Sequence, residues 1–425
     1  MRRRSGYIFV EALVVIACLV ALMVMLAADQ KANMQVVQTR LRERRAEAAA
    51  DSAVQRAMTI LSTANTNLVQ QSDDWALQGN GGTAPTNSSQ VTAGSDEFDF
   101  SDGSAHFRMQ ILDAGSLLNI NLATADQLTL LPLTQDQVDS LLDWRETGTQ
   151  PRSDGAKDQY YNTLTQPYNT KLGALDTVDE LLLVKGWTGQ TLYQTPQVTT
   201  TLPLPTDQNN VILPLASMLT VDSGAPNTQA DGTARINLGA RGVNVAALTR
   251  LGISPPLANQ LAARAPFTSF QALSAVPGMN STALGLLLNA VTFTTTTRTQ
   301  GLINLNTASQ AVLQTLPNMT SDVASAIVAQ QSGGFSTLGA LANVSGLSAP
   351  LLGQLADSFT IGSDTWLVRA YGESGGVGVA LEVVVGMRNG QIQVVNWERL
   401  NSTTVPTWWN WLADPSQTLD AGAAE

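Results

Sequence analysis

The chain opens MRRRSGYIFVEALVVIACLVALMVMLAADQK over residues 1–31. From Tyr7 to Ala28 it is apolar apart from Glu11. As a helix rising 1.5 Å per residue these 22 positions reach about 33 Å, close to the ~30 Å hydrocarbon core of a bilayer. The stretch therefore reads as a membrane helix. A cleaved secretory signal is the plainer alternative. It calls for a shorter apolar core, no acid within it, and a small-residue cut site, which Ala27-Ala28 imitates. Arg2, Arg3 and Arg4 precede the span, and Lys31, Arg40, Arg42, Arg44 and Arg45 follow it, so positive-inside counting does not orient it. The short leader favours a cytoplasmic N-terminus with the bulk of the chain outside.

An acid inside a span costs about 2.5–3.5 kcal/mol at its centre and less toward the ends, and its partner should be sought. A cut after Gly6 makes Tyr7 the new N-terminus and Glu11 the fifth mature residue. There a carboxylate can pair with the α-amino group of a neighbouring subunit at the same membrane depth. The basic leader, Gly6 and Glu11 together resemble the prepilin leader of type IV pilins and type II secretion pseudopilins. That resemblance implies a membrane peptidase that cuts between Gly6 and Tyr7 and methylates the new N-terminus.

Beyond the span, residues 29–65 contain no Pro or Gly and are rich in Ala, Gln, Arg and Glu, all good helix formers. Val36, Val37, Leu41, Ala48, Val54, Met58 and Leu61 leave an interrupted apolar stripe. One helix from Tyr7 to near Leu68 is expected. The run Arg40, Arg42, Arg44, Arg45 suits lipid headgroups or acidic partners, or equally a solvated face balanced by Glu43 and Glu47. Residues 69–97 are Gly-, Ser-, Asn- and Asp-rich and read as a linker. Over residues 98–118, Phe98, Phe100, Ala105, Phe107, Met109 and Ile111 alternate with polar residues, as a half-buried strand does, with SDGS at 101–104 as its turn. His106 falls on the polar face.

Residues 119–361 hold an internal repeat. Copies start at LLNINLATADQL (Leu117), RINLGARGVNVAAL (Arg235) and LINLNTASQAVL (Leu302), with units near 117–187, 235–293 and 302–361. Each has an Ile-Asn-Leu start, a helix, a break at Leu131-Pro132, Leu251-Gly252 or Leu316-Pro317, and a second helix. A short unit then ends at Gly186, Gly278 or Gly346, where a helix C-terminus favours a left-handed residue. The first copy carries an insertion from Glu146 to Gly173. The unit looks like a helix-hairpin-helix module, which in DNA-binding proteins holds phosphate on a Gly-rich turn. The hairpins LPLTQDQ, LGISPPL and LPNMTSD lack that turn, and two carry Asp136 and Asp322.

Composition narrows the function classes. Charged residues are 13% of 425 and the net charge is −11; phosphate contacts need clustered Lys and Arg, so nucleic acid is not an expected partner. A single cysteine, Cys18, excludes an internal disulfide framework, and a single histidine, His106, excludes a multi-His metal centre. No phosphate loop, HExxH or nucleophile–His–acid set is present, so an enzyme is not expected, and no cofactor with it. Residues 362–400 return to strands, with Gly375-Gly376 and Asn389-Gly390 as turns; Asn-Gly between apolar runs is a strong hairpin signal. These strands and the one near Phe107 should share an antiparallel sheet. In the tail, 401–425, Trp408, Trp409 and Trp411 suit an exposed partner-binding patch or, as the plainer reading, packing over that sheet.

The whole layout resembles the general secretion pathway protein K family, the large minor pseudopilin of type II secretion. DWRETGTQPRSDGAKDQYYNTL, LDTVDELLLVKGWT and LINLNTASQAVL look like its signatures. The resemblance implies an α+β pilin-like fold: a long N-terminal membrane helix and an antiparallel sheet carrying a large helical helix-hairpin-helix (SAM-like) insert. It implies a single-pass inner-membrane subunit facing the periplasm, with other minor pseudopilins, the major pseudopilin and the prepilin peptidase as partners. It also implies a place in a tip complex that primes pseudopilus assembly and helps export folded proteins. Family members usually lack an acid at the fifth mature position, so Glu11 leaves room for a minor pilin of a type IV pilus-like machine; a membrane-tethered DNA receptor is a further alternative. Family members can also bind calcium through acidic loops. Here Asp154 and Asp158 remain while matching acids are replaced, so a solvated loop is the plainer reading and a calcium ion the sharper one.

Overall fold

The computed structural model describes residues 5–78, 98–100, 103–196, 204–207, 211–409 and 411. The leader arginines, most of the 69–97 linker, the first half of the SDGS turn and the end of the tail lie outside these residues.

Helix α1 (Ser5–Leu61) runs unbroken for 57 residues, about 86 Å at 1.5 Å per residue. Its two halves meet different surroundings. From Phe9 to Arg42 every residue is exposed, including a dense set of Val, Leu, Ile and Met. From Ala46 onward one face is fully buried: Ala46, Ala50, Ala53, Val54, Ala57 and Leu61, spaced three and four apart as one helical face requires. That face is built mainly of alanine, and it differs from the stripe expected through Val36, Val37, Leu41 and Ala48, all of which are exposed. The reason is proximity. A Cβ at Gly372 on the sheet would lie 2.1 Å from the Ala46 carbonyl oxygen, so only small residues fit at the crossing. The helix ends at Leu61 rather than near Leu68. The Ser62 and Thr63 hydroxyls donate back to the carbonyls of Thr59 and Ile60, a local bond that competes with the helix ladder. After it, Trp75 in the short helix Asp74–Leu77 packs on the α1 core.

The sheet has five antiparallel strands in sequential order: β1 (Phe98–Asp99), β2 (His106–Asp113), β3 (Thr365–Ser374), β4 (Val377–Arg388) and β5 (Gln391–Arg399). Both turns expected from sequence are present. Gly375 and Gly376 join β3 to β4, and Asn389 and Gly390 join β4 to β5, each residue with positive φ, as tight hairpins require. Met109 and Ile111 from β2, Trp366, Val368 and Ala370 from β3, and Leu381, Val383 and Val385 from β4 face α1. The alternation read from Phe107, Met109 and Ile111 therefore names the correct face.

Between β2 and β3, spatial neighbours, the chain makes a detour from Ala114 to Asp364. The detour consists of three modules with one plan. Each begins with a two-residue strand, Leu118–Asn119, Ile236–Asn237 or Ile303–Asn304. Each closes by parallel pairing with an apolar–Thr pair, Leu219–Thr220, Val291–Thr292 or Phe359–Thr360. In each the Asn Oδ1 accepts the amide two residues on, from Asn121, Gly239 or Asn306. Four helical pieces lie between in the second and third modules, with two more in the first, Asp158–Tyr161 in its insertion and Leu215–Ser217 before its closing strand; in the third they are Gln310–Leu313, Ser321–Gln331, Leu338–Asn343 and Ala349–Ala356. Gly186, Gly278 and Gly346 have φ of 81°, 86° and 86°, the left-handed turn expected of them. The first module extends to Thr220, well beyond residue 187, because its closing strand follows the 146–173 insertion and a long connection. Its opening strand is Leu118–Asn119, two residues before the Ile-Asn-Leu triplet, since Ile120 is wholly buried and Leu122 is half exposed.

An ion-pair square fastens the insert to the sheet. Asp222 and Asp364 each pair with both Arg298 and Arg388, at 2.6–3.2 Å. Every member is largely buried, so removal of any one strands a charge.

Candidate functional site

The exposed apolar half of α1 is the first candidate surface. Gly6 and Tyr7 lie in the first turns of α1, and Glu11 follows one turn after Tyr7 on the exposed apolar stretch. Among the described residues this is the one helix long and apolar enough to cross a membrane; its most apolar 18-residue window has mean hydropathy 2.9. The arginine run beyond it is partly committed within the chain: Arg44 pairs with Glu47 at 2.9 Å, and Glu43 and Glu47 take Arg399 of β5 at 2.7 and 3.6 Å. The two glutamates thus do what the solvated-face reading assigned to them, and one of their partners comes from the sheet.

The second candidate is the outer face of the sheet, away from α1. Gln110, Arg369, Glu382 and Glu398 stand directly opposite one another on β2, β3, β4 and β5. Arg369 Nε donates to Glu382 Oε1 at 3.1 Å, and its Nη1 to Gln110 Oε1 at 3.4 Å. The tryptophans close over this row. Trp409 Nε1 donates to Glu382 at 2.5 Å, Trp411 Nε1 to Gln110 at 3.0 Å, and Trp408 lies 4.3 Å from the Tyr193 ring, centroid to centroid. The described tryptophans of the tail pack over the sheet, as the plainer sequence reading had it. The pairing of indole N–H groups with a polar row was not legible, because the row is assembled from four strands.

At the edge of this row the first module meets β5. Tyr193 donates its hydroxyl to Asp179, and Asp179 lies against Glu398. Burial, then the negative charges of Asp179 and Glu382, push the Glu398 carboxyl up to about 8. Burial and the bond to Asp179 likewise raise the Tyr193 hydroxyl above its ordinary range. The folded state therefore holds a proton on Glu398 that the unfolded state releases near its ordinary pKa of 4.5. Stability from this group is fully present below that value and is lost as pH rises to about 8. A fully transferred proton gives a slope of about 1.4 kcal/mol per pH unit, and partial exposure reduces it here. Glu398→Gln should flatten the decline of Tm between pH 5 and 8, with the gain over the wild type largest at the alkaline end. Parallel Tm profiles for the two proteins would refute the assignment.

The Asp154 and Asp158 carboxylates are not gathered round a shared point by other acids. Asp158 Oδ1 accepts the Thr170 amide at 2.8 Å, and that hydrogen bond holds its carboxyl below the usual range. The Asp154 amide donates to Asp139 Oδ2 at 3.3 Å. Among the described residues no three His, Cys, Asp or Glu side chains are grouped to hold a metal. His106 sits beside Glu373, its cross-strand partner, with Nε2 to Oε2 3.6 Å.

Comparison with known proteins bears on this architecture. Residues 122–204, within the first module, match the family model described as type II secretion system (T2SS), protein K. Here the chain is protein K-like. Residues 299–360, which make up the third module, match the helix-hairpin-helix motif. The K-like segment includes the 146–173 insertion, Asp154, Asp158, Asp179 and Tyr193. A comparison with curated proteins found no match. Among solved structures, a chain of the GspK-GspI-GspJ complex from the enterotoxigenic Escherichia coli type 2 secretion system aligns over 88% of this chain and 100% of its own length. Its identity is 13% and the TM-score 0.40, a likeness too low to carry an argument.

Sequence reasoning missed the fourth helix and the closing strand of each module. The apolar–Thr pairs at Leu219-Thr220, Val291-Thr292 and Phe359-Thr360 were the available signal. Two residues are too few to read as strands until their partners are known.

Proposed function

We propose that this chain is a minor pseudopilin of a type II protein secretion system. It is anchored in the inner membrane by α1 with its sheet and insert in the periplasm. It stands at or near the tip of the pseudopilus, primes assembly and helps drive folded proteins across the outer membrane. The observation that carries this reading is the division of α1. One half is an exposed apolar helix, and the other is the alanine-faced spine of an antiparallel sheet whose insert matches the protein K family model over residues 122–204. Helices that leave the bilayer together bury their apolar halves on one another. The insert of about 250 residues (Ala114–Asp364) is too bulky to stack between successive subunits of a thin fibre, which favours the end. Its role is mechanical, with other minor pseudopilins and the major pseudopilin as partners, and the prepilin peptidase acts on it.

The mass of the N-terminal peptide from native membranes tests the reading. The expected species begins at methylated Tyr7. A protein lacking the first 28 residues, or one retaining the six-residue leader in a working system, would overturn it. Glu11→Ala should leave cleavage intact and weaken recovery of partner pseudopilins about tenfold, the equivalent of ~1.4 kcal/mol; undiminished co-purification would count against the pairing of Glu11 with a neighbouring N-terminus.

A further inference from the structure

The loop from Glu146 to Gly173 is where the family resemblance would place calcium, yet its main-chain carbonyls and the Asp143 and Glu146 carboxylates beside it are held by cations that the chain supplies itself. Lys157 is buried, 4% exposed. Its ammonium donates to the main-chain carbonyls of Asp143 and Glu146, at 2.8 Å for the latter. Arg152 spans the same two residues through their side chains, with Nη1 to Asp143 Oδ1 at 3.0 Å and Nη2 to Glu146 Oε2 at 2.7 Å. The second oxygen of Asp143 accepts the Arg152 amide at 2.9 Å. From the far side Lys185 donates to the carbonyls of Asp154 and Gly155, at 3.0 and 3.4 Å. The loop is drawn in so tightly that a Cβ on Gly155 would lie 1.9 Å from Asp143 Oδ2.

Calcium needs six to eight oxygens free to turn toward it. Here the carbonyls and the Asp143 carboxylate that converge on the loop already accept charge-assisted hydrogen bonds, which are the strong ones. A dication brought among them would meet Lys157, Arg152 and Lys185 as like charges. Two of the three donors of the buried ammonium are met by these carbonyls, as a buried cation needs acceptors once water is excluded. The residues present do not fit a calcium ion.

We infer that the buried ammonium of Lys157, assisted by Arg152 and Lys185, closes this loop in place of a divalent cation, so that the first module folds without metal. The test uses the full-length protein in detergent. Wild-type Tm is expected to be the same in excess EGTA and in millimolar calcium. Terbium, whose luminescence Trp144 and Tyr161 in the adjoining core would sensitise, should give no saturable signal. Lys157→Met should lower Tm by about 4 °C or more and speed chymotryptic cleavage at Tyr160 and Tyr161, whereas Lys157→Arg, which keeps the cation, should resist cleavage better than Lys157→Met. A saturable terbium signal, a calcium-dependent rise in wild-type Tm, or a Lys157→Met loop as protease-resistant as the wild type would overturn the inference.

Discussion

Asp113→Ala is expected to destabilise the protein by about 3–5 kcal/mol. Asp113 ends β2 at the point where the chain leaves the sheet for the insert, and it is 1% exposed. Its Oδ1 accepts the Gly115 amide at 2.8 Å. Its Oδ2 accepts Asn304 Nδ2 at 2.8 Å and the Thr307 hydroxyl at 2.6 Å. Asn304 opens the third module and also donates to the Val69 carbonyl just beyond α1, at 3.1 Å. One carboxylate thus joins the sheet, the third module and the segment after the helix. Burial pushes its carboxyl above the ordinary value, and the hydrogen bonds from Ser363, Thr307, Asn304 and Gly115 pull the other way. Truncation leaves these buried donors without their acceptor, at about 1–3 kcal/mol for each group that finds no other. Denaturant unfolding checks the figure. Asp113→Asn, which keeps one acceptor oxygen, should lose less than half as much. A loss under about 1 kcal/mol for the alanine variant would mean that the donors are satisfied elsewhere.

Gly372→Val should unseat α1 from the sheet. Its added carbons would enter the space of the Ala46 carbonyl oxygen and the Ala50 amide, which stand 2.1 and 2.5 Å from an ideal Cβ. Backbone cannot swing aside as a side chain does. The helix must therefore rise off β3, opening the contact of Ala46, Ala50 and Ala53 with the sheet along the crossing. Overpacking of this kind costs about 1–3 kcal/mol and occasionally more; with backbone on both sides, about 3 kcal/mol is expected. Trp366 lies fully buried in the same core, so its emission should shift to the red as Tm falls. Gly372→Ala should show the same effect at smaller amplitude. If the valine variant melts with the wild type, the helix does not sit where the structure puts it.

Much of this architecture is legible in short runs of sequence. The apolar run from Tyr7 to Ala28 reads as a helix long and apolar enough to cross a membrane because twenty-odd apolar residues in succession have few other uses. The turns at Gly375-Gly376 and Asn389-Gly390 were readable because positive φ is cheap only for a few residue types. The modules announced themselves through repetition of an Asn-centred start and a left-handed glycine. Other features were misjudged for a common cause. The buried face of α1 runs through alanines, and alanine carries little hydropathy signal; what selects it is the closeness of Gly372, more than 300 positions away. The first module was cut short at residue 187 because its closing strand, Leu219–Thr220, is two residues long and lies after a long further connection.

The candidate sites divide in the same way. The proposed cleavage and assembly positions Gly6, Tyr7 and Glu11 are read from eleven consecutive residues, and the fold adds only their place on α1. The Lys157 clasp was readable only as a departure, acids replaced in a loop that otherwise looked familiar. That Lys157 points inward and satisfies two carbonyls is a fact of packing. The polar row from Gln110 through Arg369 and Glu382 to Glu398 exists only once four strands are in register.

By itself the amino-acid order determined the long apolar helix, the hairpin turns and the threefold plan of the insert, since each is set by a few neighbouring residues and the conformations they permit. Tertiary structure alone decided which face of α1 is buried, where each module closes, and which polar groups meet: Asp113 with Asn304, Lys157 with two carbonyls, Glu398 with Asp179. Those outcomes depend on distances between residues far apart in the chain, and on the low dielectric created when packing excludes water, neither of which is written in any local pattern.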